Sequence, residues 1–171
     1  MPYCSRCTLA AVVLLAVAFL GGCDTDNPSS PLEEVEGVYA FTELRFEPIA
    51  QGITPANVLA RLDSARTDVE VFGSGRVLIR FKLQDRPSDL ADATATATRS
   101  TVRFTASTEA DAARLAQLLI PPTFSLSRSP DDQRLSGEIS TTANLQAFDA
   151  TLYQGLTAQP GTLYLTLDRV E

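Results

Sequence analysis

Few side chains in this sequence could carry chemistry, and the cysteines and carboxylates come first. Cys4 and Cys7 stand in a C-x-x-C pair, a spacing typical of redox or metal chemistry. Asp85, Asp89 and Asp92 form an acidic group, and paired carboxylates can perform acid–base catalysis. The chain has no histidine, so the commonest general base and zinc ligand is missing. An enzyme hypothesis would therefore depend on the three aspartates.

The third cysteine, Cys23, ends a separate pattern. Arg6 is the only charge before the apolar run at 9–20, LAAVVLLAVAFL. These twelve residues are too few for a membrane span but suit the apolar part of a secretory signal peptide. The run ends in Leu20-Gly21-Gly22-Cys23, which resembles a bacterial lipobox. The alternative is an ordinary signal peptide, or a retained anchor, with a chance cysteine.

The lipobox resemblance implies a cleaved signal peptide over residues 1–22, with cleavage between Gly22 and Cys23. Acyl chains on Cys23 would then anchor the protein to a membrane. The expected location is the bacterial cell envelope, at the outer membrane or cell surface rather than the inner membrane. Residues 23–35 are polar and contain prolines, which predicts a flexible tether.

Cleavage would also simplify the chemistry of the mature chain. It removes Cys4 and Cys7 and leaves no free thiol once Cys23 is acylated, so we expect no disulfide, no metal site and no cofactor. It removes one arginine and no acid, which changes the net charge from −7 to −8. Because nucleic-acid binding needs a basic surface, this charge argues against such a partner. Lys82 is the only lysine, no serine motif lies near it, and we expect no enzyme.

Alternating apolar and polar residues predict a mainly β domain over residues 36–171. In 36–47, Val38 to Phe46 form an apolar face with period two, which indicates a half-buried strand. Gly73-Ser74-Gly75 predicts a hairpin turn, and 135–147 gives the longest strand signal. The whole pattern predicts eight strands and two short helices, at 54–62 and 108–119. An eight-stranded antiparallel up-and-down barrel is expected, with a β-sandwich as the alternative.

The barrel pattern, together with Gly37-Val38-Tyr39 and Arg169, resembles the lipocalin-like lipoproteins of bacterial envelopes. Lipocalins often carry Gly-x-Trp in the first strand, with an arginine from the far end of the sequence packed over the tryptophan. Tyr39 and Arg169 would occupy those places here. The resemblance implies an interior pocket for a small apolar ligand.

Two interpretations of the barrel interior stay open. Five apolar side chains are candidates to line a ligand pocket or to pack as core: Ile79, Phe81, Phe104, Phe124 and Ile139. In the first interpretation the protein binds a small apolar molecule. In the second it is a structural or interaction lipoprotein that docks another envelope component without a ligand, and outward-facing Tyr39 and Leu78 would contribute to the contact.

Overall fold

Nine β-strands form the framework of the chain that the structure describes. The computed structural model of the protein describes residues 30–170. The strands are β1 (Gly37–Pro48), β2 (Ala56–Asn57), β3 (Asp68–Val71), β4 (Arg76–Phe81), β5 (Asp89–Ala97), β6 (Thr101–Ala106), β7 (Thr123–Arg128), β8 (Arg134–Ala143) and β9 (Gln159–Arg169). The helices are α1 (Pro31–Glu34), α2 (Glu109–Gln117) and α3 (Leu145–Phe148), with 3₁₀ turns at Leu59–Arg61 and Ser64–Arg66. No helix within residues 30–170 is long and apolar enough to cross a membrane.

Eight of these strands close into an antiparallel barrel. Strands β3 to β9 pair in chain order, and β9 returns to β1 from Tyr39 opposite Arg169 to Pro48 opposite Gly161. The two-residue strand β2 is additional and pairs with Arg45 and Phe46 at the end of β1. The predicted mainly β, up-and-down barrel is confirmed, and the β-sandwich alternative is wrong because the sheet closes on itself.

A β-bulge changes which residues of β1 point inward. The register between β1 and β9 shifts between Phe41 and Glu43, so Thr42 is an extra residue in β1. One extra residue moves every later side chain to the opposite face. The apolar face predicted from Val38 to Phe46 is therefore wrong for its first half. Tyr39 is fully buried rather than outward-facing, whereas Thr42 is exposed.

The predicted helices and the long strand differ in detail from the structure. The prediction of a helix from Thr54 is wrong, since this segment forms β2 and the 3₁₀ turns. Strand β1 continues beyond its pairing with β3, so its edge is open there and pairs with Ala56–Asn57. The Thr108-capped helix is confirmed as α2. The strand expected over 135–147 ends at Ala143, where Asn144 caps α3 through a hydrogen bond from the Ala147 amide.

The two ends of the barrel have different connections. At the end that we call the near end, α1 lies beside short turns at 72–75, 98–100 and 129–133. At the opposite or far end the connections are longer, at 49–67, 82–88, 107–122 and 144–158. Helices α2 and α3 are therefore both at the far end.

The fold begins before the predicted tether ends. Ser30 caps α1 by accepting a hydrogen bond from the Glu33 amide, and the Glu33 side chain accepts one from the Ser30 amide in return. Val35 is fully buried in the core. Residues 31–35, assigned above to the tether, are thus part of the barrel domain because Val35 and the cap fix them in place.

Candidate functional site

The inside of the barrel is packed with apolar side chains. Ile79, Phe81 and Phe104 have at most 1% of their surface exposed. The Phe104 ring stacks on the Phe124 ring, with centroids 4.9 Å apart and planes 14° from parallel. Ile139 is partly buried and packs against the same continuous core. These five residues, predicted to line a pocket or to pack as core, all contact the core, and a ligand-lining role for them stays a prediction.

None of the pockets that we find on the described chain is lined by these five residues. One of them is a crevice of about 120 Å³ between the end of α2 and the end of β8, with Leu119, Ile120 and Ala143 in its wall. Sites for small-molecule ligands usually have volumes of roughly 300–1,000 Å³. The crevice is therefore too small for an ordinary lipocalin-type ligand.

Another of these pockets is an open groove of about 660 Å³ on the outer wall. Its walls come from α2, from the second 3₁₀ turn and from the outer faces of β3, β4 and β5. Asp89 and Asp92 both lie in this outer groove. Asp85 does not: its side chain is 85% exposed and its carboxylate lies 3.6 Å from the Arg61 guanidinium. The structure thus brings together two of the three predicted aspartates.

Ion pairs occupy the carboxylates of the outer groove. The Asp89 carboxylate lies 3.1 Å from Nε of Arg114. The Asp92 carboxylate accepts two hydrogen bonds from Arg76, at 3.1 and 2.9 Å. Each aspartate of the outer groove thus lies in an ion pair with an arginine.

A buried aspartate supports the base of the outer groove. Asp111 of α2 accepts hydrogen bonds from the Thr108 hydroxyl at 2.6 Å and from the Asp92 amide at 3.2 Å. Arg114 also donates to it, at 2.8 Å. The Thr108 hydroxyl, with these other donors, lowers the pKa of the Asp111 carboxyl. Asp111 therefore ties α2 to β5 and orients Arg114 towards Asp89.

The described chain contains no cluster of side chains that could bind a metal ion. Within residues 30–170, no group of three or more cysteine or acidic side chains could hold a metal ion. Lys82, the only lysine, lies 3.8 Å from the Asp63 carboxylate, so it too takes part in an ion pair.

At the near end, Arg128 joins α1 to the barrel. Its side chain is only 3% exposed. The guanidinium donates to the Thr98 carbonyl at 2.7 Å and to the Asp132 carboxylate at 2.7 and 2.9 Å. It also donates to Glu34 in α1 at 2.8 Å. Its burial could not be predicted from the sequence, because an arginine at the end of a strand carries no local signal of burial.

Tyr39 and Arg169, the two residues of the lipocalin resemblance, meet at the same end. They face each other in the register of β1 and β9. The Tyr39 hydroxyl donates to the Val35 carbonyl at 2.8 Å, and Arg169 donates to the carbonyls of Glu34 and Glu36. Burial raises the pKa of the Tyr39 hydroxyl, and the charge of Arg169 opposes that rise. Both side chains therefore hold the segment that follows α1.

The lipid-attachment residues lie outside the described part of the chain. Gly22 and Cys23, like Cys4 and Cys7, precede residue 30, so the lipobox and the signal peptide stay predictions.

The chain matches no protein-family profile, no curated protein and no solved structure.

Proposed function

We propose that this chain is a lipoprotein of the bacterial cell envelope, held to a membrane by acyl chains on Cys23. The Leu20-Gly21-Gly22-Cys23 sequence after a basic and then apolar start supports this. Helix α1 has its N-cap at Ser30, seven residues after Cys23, so it stands close to the proposed anchor in the chain. A fully extended tether of this length spans about 25 Å.

The site of lipid attachment sets which end of the barrel lies towards the membrane. Because α1 lies at the near end, the tether connects that end to the membrane. Arg128 and Arg169 fix α1 to the barrel wall, so a force on the tether acts on the whole domain rather than on a loose segment. The far end, with its longer loops, is free to meet other molecules. We expect the protein at the outer membrane or cell surface.

We infer that the barrel is lipocalin-like in architecture and acts as a docking module. One observation carries this preference over ligand binding: the interior is filled by a continuous apolar core that includes the Phe104–Phe124 stack. A barrel of eight strands is just wide enough either for packed side chains or for one small ligand. Because side chains occupy this interior, recognition of an envelope component falls to the outer surface.

The lipid anchor is tested on the full chain expressed in a bacterium. Intact-mass spectrometry of the membrane fraction should show loss of residues 1–22 and added mass from acyl chains. Cys23→Ser should abolish both changes, whereas Cys7→Ser, the matched control, should leave them intact. An unmodified thiol at Cys23 in the parent protein would disprove the anchor.

The docking function is tested against ligand binding with a fluorescent apolar dye. We expect no saturable binding of the dye to the full-length parent protein. An internal ligand site would be favoured, and the docking proposal contradicted, if the dye bound saturably, if a fatty acid displaced it and if Phe104→Trp weakened its binding. Phe72→Trp, a half-buried position in the turn after β3, serves as the control substitution.

A further inference from the structure

Strand β8 has a hydrogen-bonding edge that its neighbour β7 does not cover. The ladder with β9 includes all ten residues of β8, Arg134–Ala143. The ladder with β7 has only two pairs and ends where Ser136 lies opposite Ser127. From residue 137 to residue 143, β8 therefore has a partner strand on one side only. A strand edge without a partner is a template for pairing with another chain.

The hairpin before β8 fixes which of its main-chain groups point to this uncovered side. The Ser129 amide donates to the Arg134 carbonyl at 2.9 Å, so the main-chain groups of Arg134 face β7. These groups alternate in direction along an antiparallel strand. Those of Glu138, Ser140 and Thr142 therefore point away from β9, with the two-residue repeat that another strand would match. We call these three residues the open edge of β8.

The crevice at the end of α2 supplies space beside the open edge. Residues 141–143 of β8 form one of its walls, and residues 119–122 form the other. Pro121 and Pro122 in the second wall have no amide hydrogen. The Pro122 carbonyl already accepts a hydrogen bond from the Ala106 amide, at 2.8 Å. Neither proline can therefore donate a main-chain hydrogen bond to the open edge.

The second wall of the crevice is apolar and is held in shape by a turn. Leu119 has a φ of +59°, a conformation that leucine seldom adopts. The Leu119 amide donates to the Ala116 carbonyl and the Ile120 amide to the Leu115 carbonyl, both at 3.1 Å. A dry apolar cavity of about 150 Å³ holds one benzene molecule. The crevice, at about 120 Å³, therefore suits one aliphatic side chain.

We propose that the open edge binds an extended segment of another protein, which adds to the barrel as a strand. This inference rests on the docking function proposed above and names the class of partner. In such binding, main-chain hydrogen bonds give affinity and pockets for alternate side chains give specificity. An aliphatic side chain of the segment enters the crevice. A basic side chain lies opposite Glu138, which is exposed and takes part in no ion pair within residues 30–170.

A labelled and capped hexapeptide, Val-Thr-Val-Thr-Val-Lys, tests strand addition to the full chain in detergent. In antiparallel pairing its lysine lies opposite Glu138, and its valines lie opposite residues 139, 141 and 143. Fluorescence anisotropy should show saturable binding. Methylation of the two threonine nitrogens, which face the open edge, should weaken binding about tenfold. Methylation of the second and third valine nitrogens, which point away from the open edge, should leave binding unchanged.

Ser140→Pro is the matching change in the protein. It removes the Ser140 amide from the open edge and leaves the hydrogen bonds between β8 and β9, because proline is tolerated where the amide has no ladder partner. This variant should bind the hexapeptide about tenfold more weakly than the parent chain does. Ser140→Ala, the matched control, keeps the amide and should bind like the parent. Circular dichroism checks that both variants are folded.

Several results would overturn the proposal. These are no saturable binding of the hexapeptide, equal binding of its two methylated forms, or equal weakening in Ser140→Ala and Ser140→Pro. If Ser140→Pro does not fold, the methylated peptides decide the question on the parent chain. A parent chain that dimerises without peptide and loses its dimer in Ser140→Pro would make a second copy the occupant. The dye experiment tests the docking function separately, so a parent that binds neither dye nor peptide contradicts strand addition alone.

Discussion

The guanidinium of Arg128 lies beneath α1, with its Nη2 atom 2.8 Å from a carboxylate oxygen of Glu34. The same Nη2 atom is 2.7 Å from the Asp132 carboxylate in the turn between β7 and β8. One almost fully buried cation therefore links the first helix of the fold to a hairpin close to a hundred residues later in the chain.

Loss of this cation should weaken the whole domain. Arg128→Ala removes the cation that Glu34 and Asp132 share, and a hydrogen bond to a charged group contributes about 2 kcal/mol. We expect the free energy of unfolding in urea to fall by this amount. Arg103→Ala, exposed on the outer face of β6, should change it by less than about 0.5 kcal/mol. Similar losses for both variants would show that Arg128 has no special role.

Gly161 should be the glycine least tolerant of a side chain. A Cβ atom at this position would overlap the Phe46 ring and the Glu47 carbonyl on the neighbouring strand β1. Gly161→Ala must therefore separate β1 from β9, the pair that closes the barrel, and overpacking costs roughly 1–3 kcal/mol or more. Circular dichroism during heating should show the loss.

Gly155→Ala provides the comparison for Gly161. Gly155 has a φ of +79° and open space around its Cβ position, so its substitution brings backbone strain without a clash. About 1 kcal/mol is expected for this strain. If Gly155→Ala proved the more harmful of the two, the close approach of β1 and β9 at Gly161 would be contradicted.

Asp111 should make part of the stability dependent on pH. Its pKa is lowered in the folded protein, mainly by the Thr108 hydroxyl, so the folded state favours the ionised carboxylate. This contribution is complete above the pKa of the unfolded chain, about 3.9, and is lost as pH falls through the lower folded pKa. Asp111→Asn should therefore destabilise the protein at pH 7, and its difference from the parent should narrow below about pH 4.

Urea midpoints measured at neutral and acidic pH would test this dependence. Asp85→Asn is the control, because the Asp85 side chain is 85% exposed and its one ion-pair contact is at 3.6 Å. This variant should match the parent closely at both pH values. A constant gap between Asp111→Asn and the parent across the pH range would mean that Asp111 acts through packing alone.

Substitution of Phe104 should show how fully the barrel interior is packed. Phe104→Ala removes one ring of the stack with Phe124 and is expected to cost about 4 kcal/mol. It should also create a dry apolar cavity able to bind benzene, as engineered cavities of this kind do. Benzene should raise the melting temperature of this variant and leave that of the parent unchanged. Equal stabilisation of both chains would reveal an existing cavity in the parent barrel.

Local sequence pattern was enough to predict much of the fold. The hairpin at 73–75, the strands that flank it and the Thr108 cap of α2 were all predicted, because each depends on residues within a few positions of one another. The candidate core residues Phe104 and Phe124 were predicted for the same reason. Their inward positions follow from strand periodicity, and the structure places both in the core.

Relationships between distant segments could not be predicted in this way. The bulge at Thr42 depends on the register between β1 and β9, and it placed Tyr39 inside the barrel rather than outside. Burial of Arg128 depends on α1, which lies close to a hundred residues away. Contact between 49–57 and 150–160 likewise exists only after the barrel closes.

The sequence by itself determined the acidic charge, the positions of the eight barrel strands along the chain and the predicted lipid attachment at Cys23, because these depend on composition, local periodicity and short motifs. Only the tertiary structure decided that the interior is packed and that Asp89 and Asp92 are paired with arginines. Only the structure brought the Ile49 amide to the Pro160 carbonyl, more than a hundred residues later in the chain. The physical reason is that packing and ion pairing depend on distances between residues far apart in the chain, which periodicity along the chain does not contain.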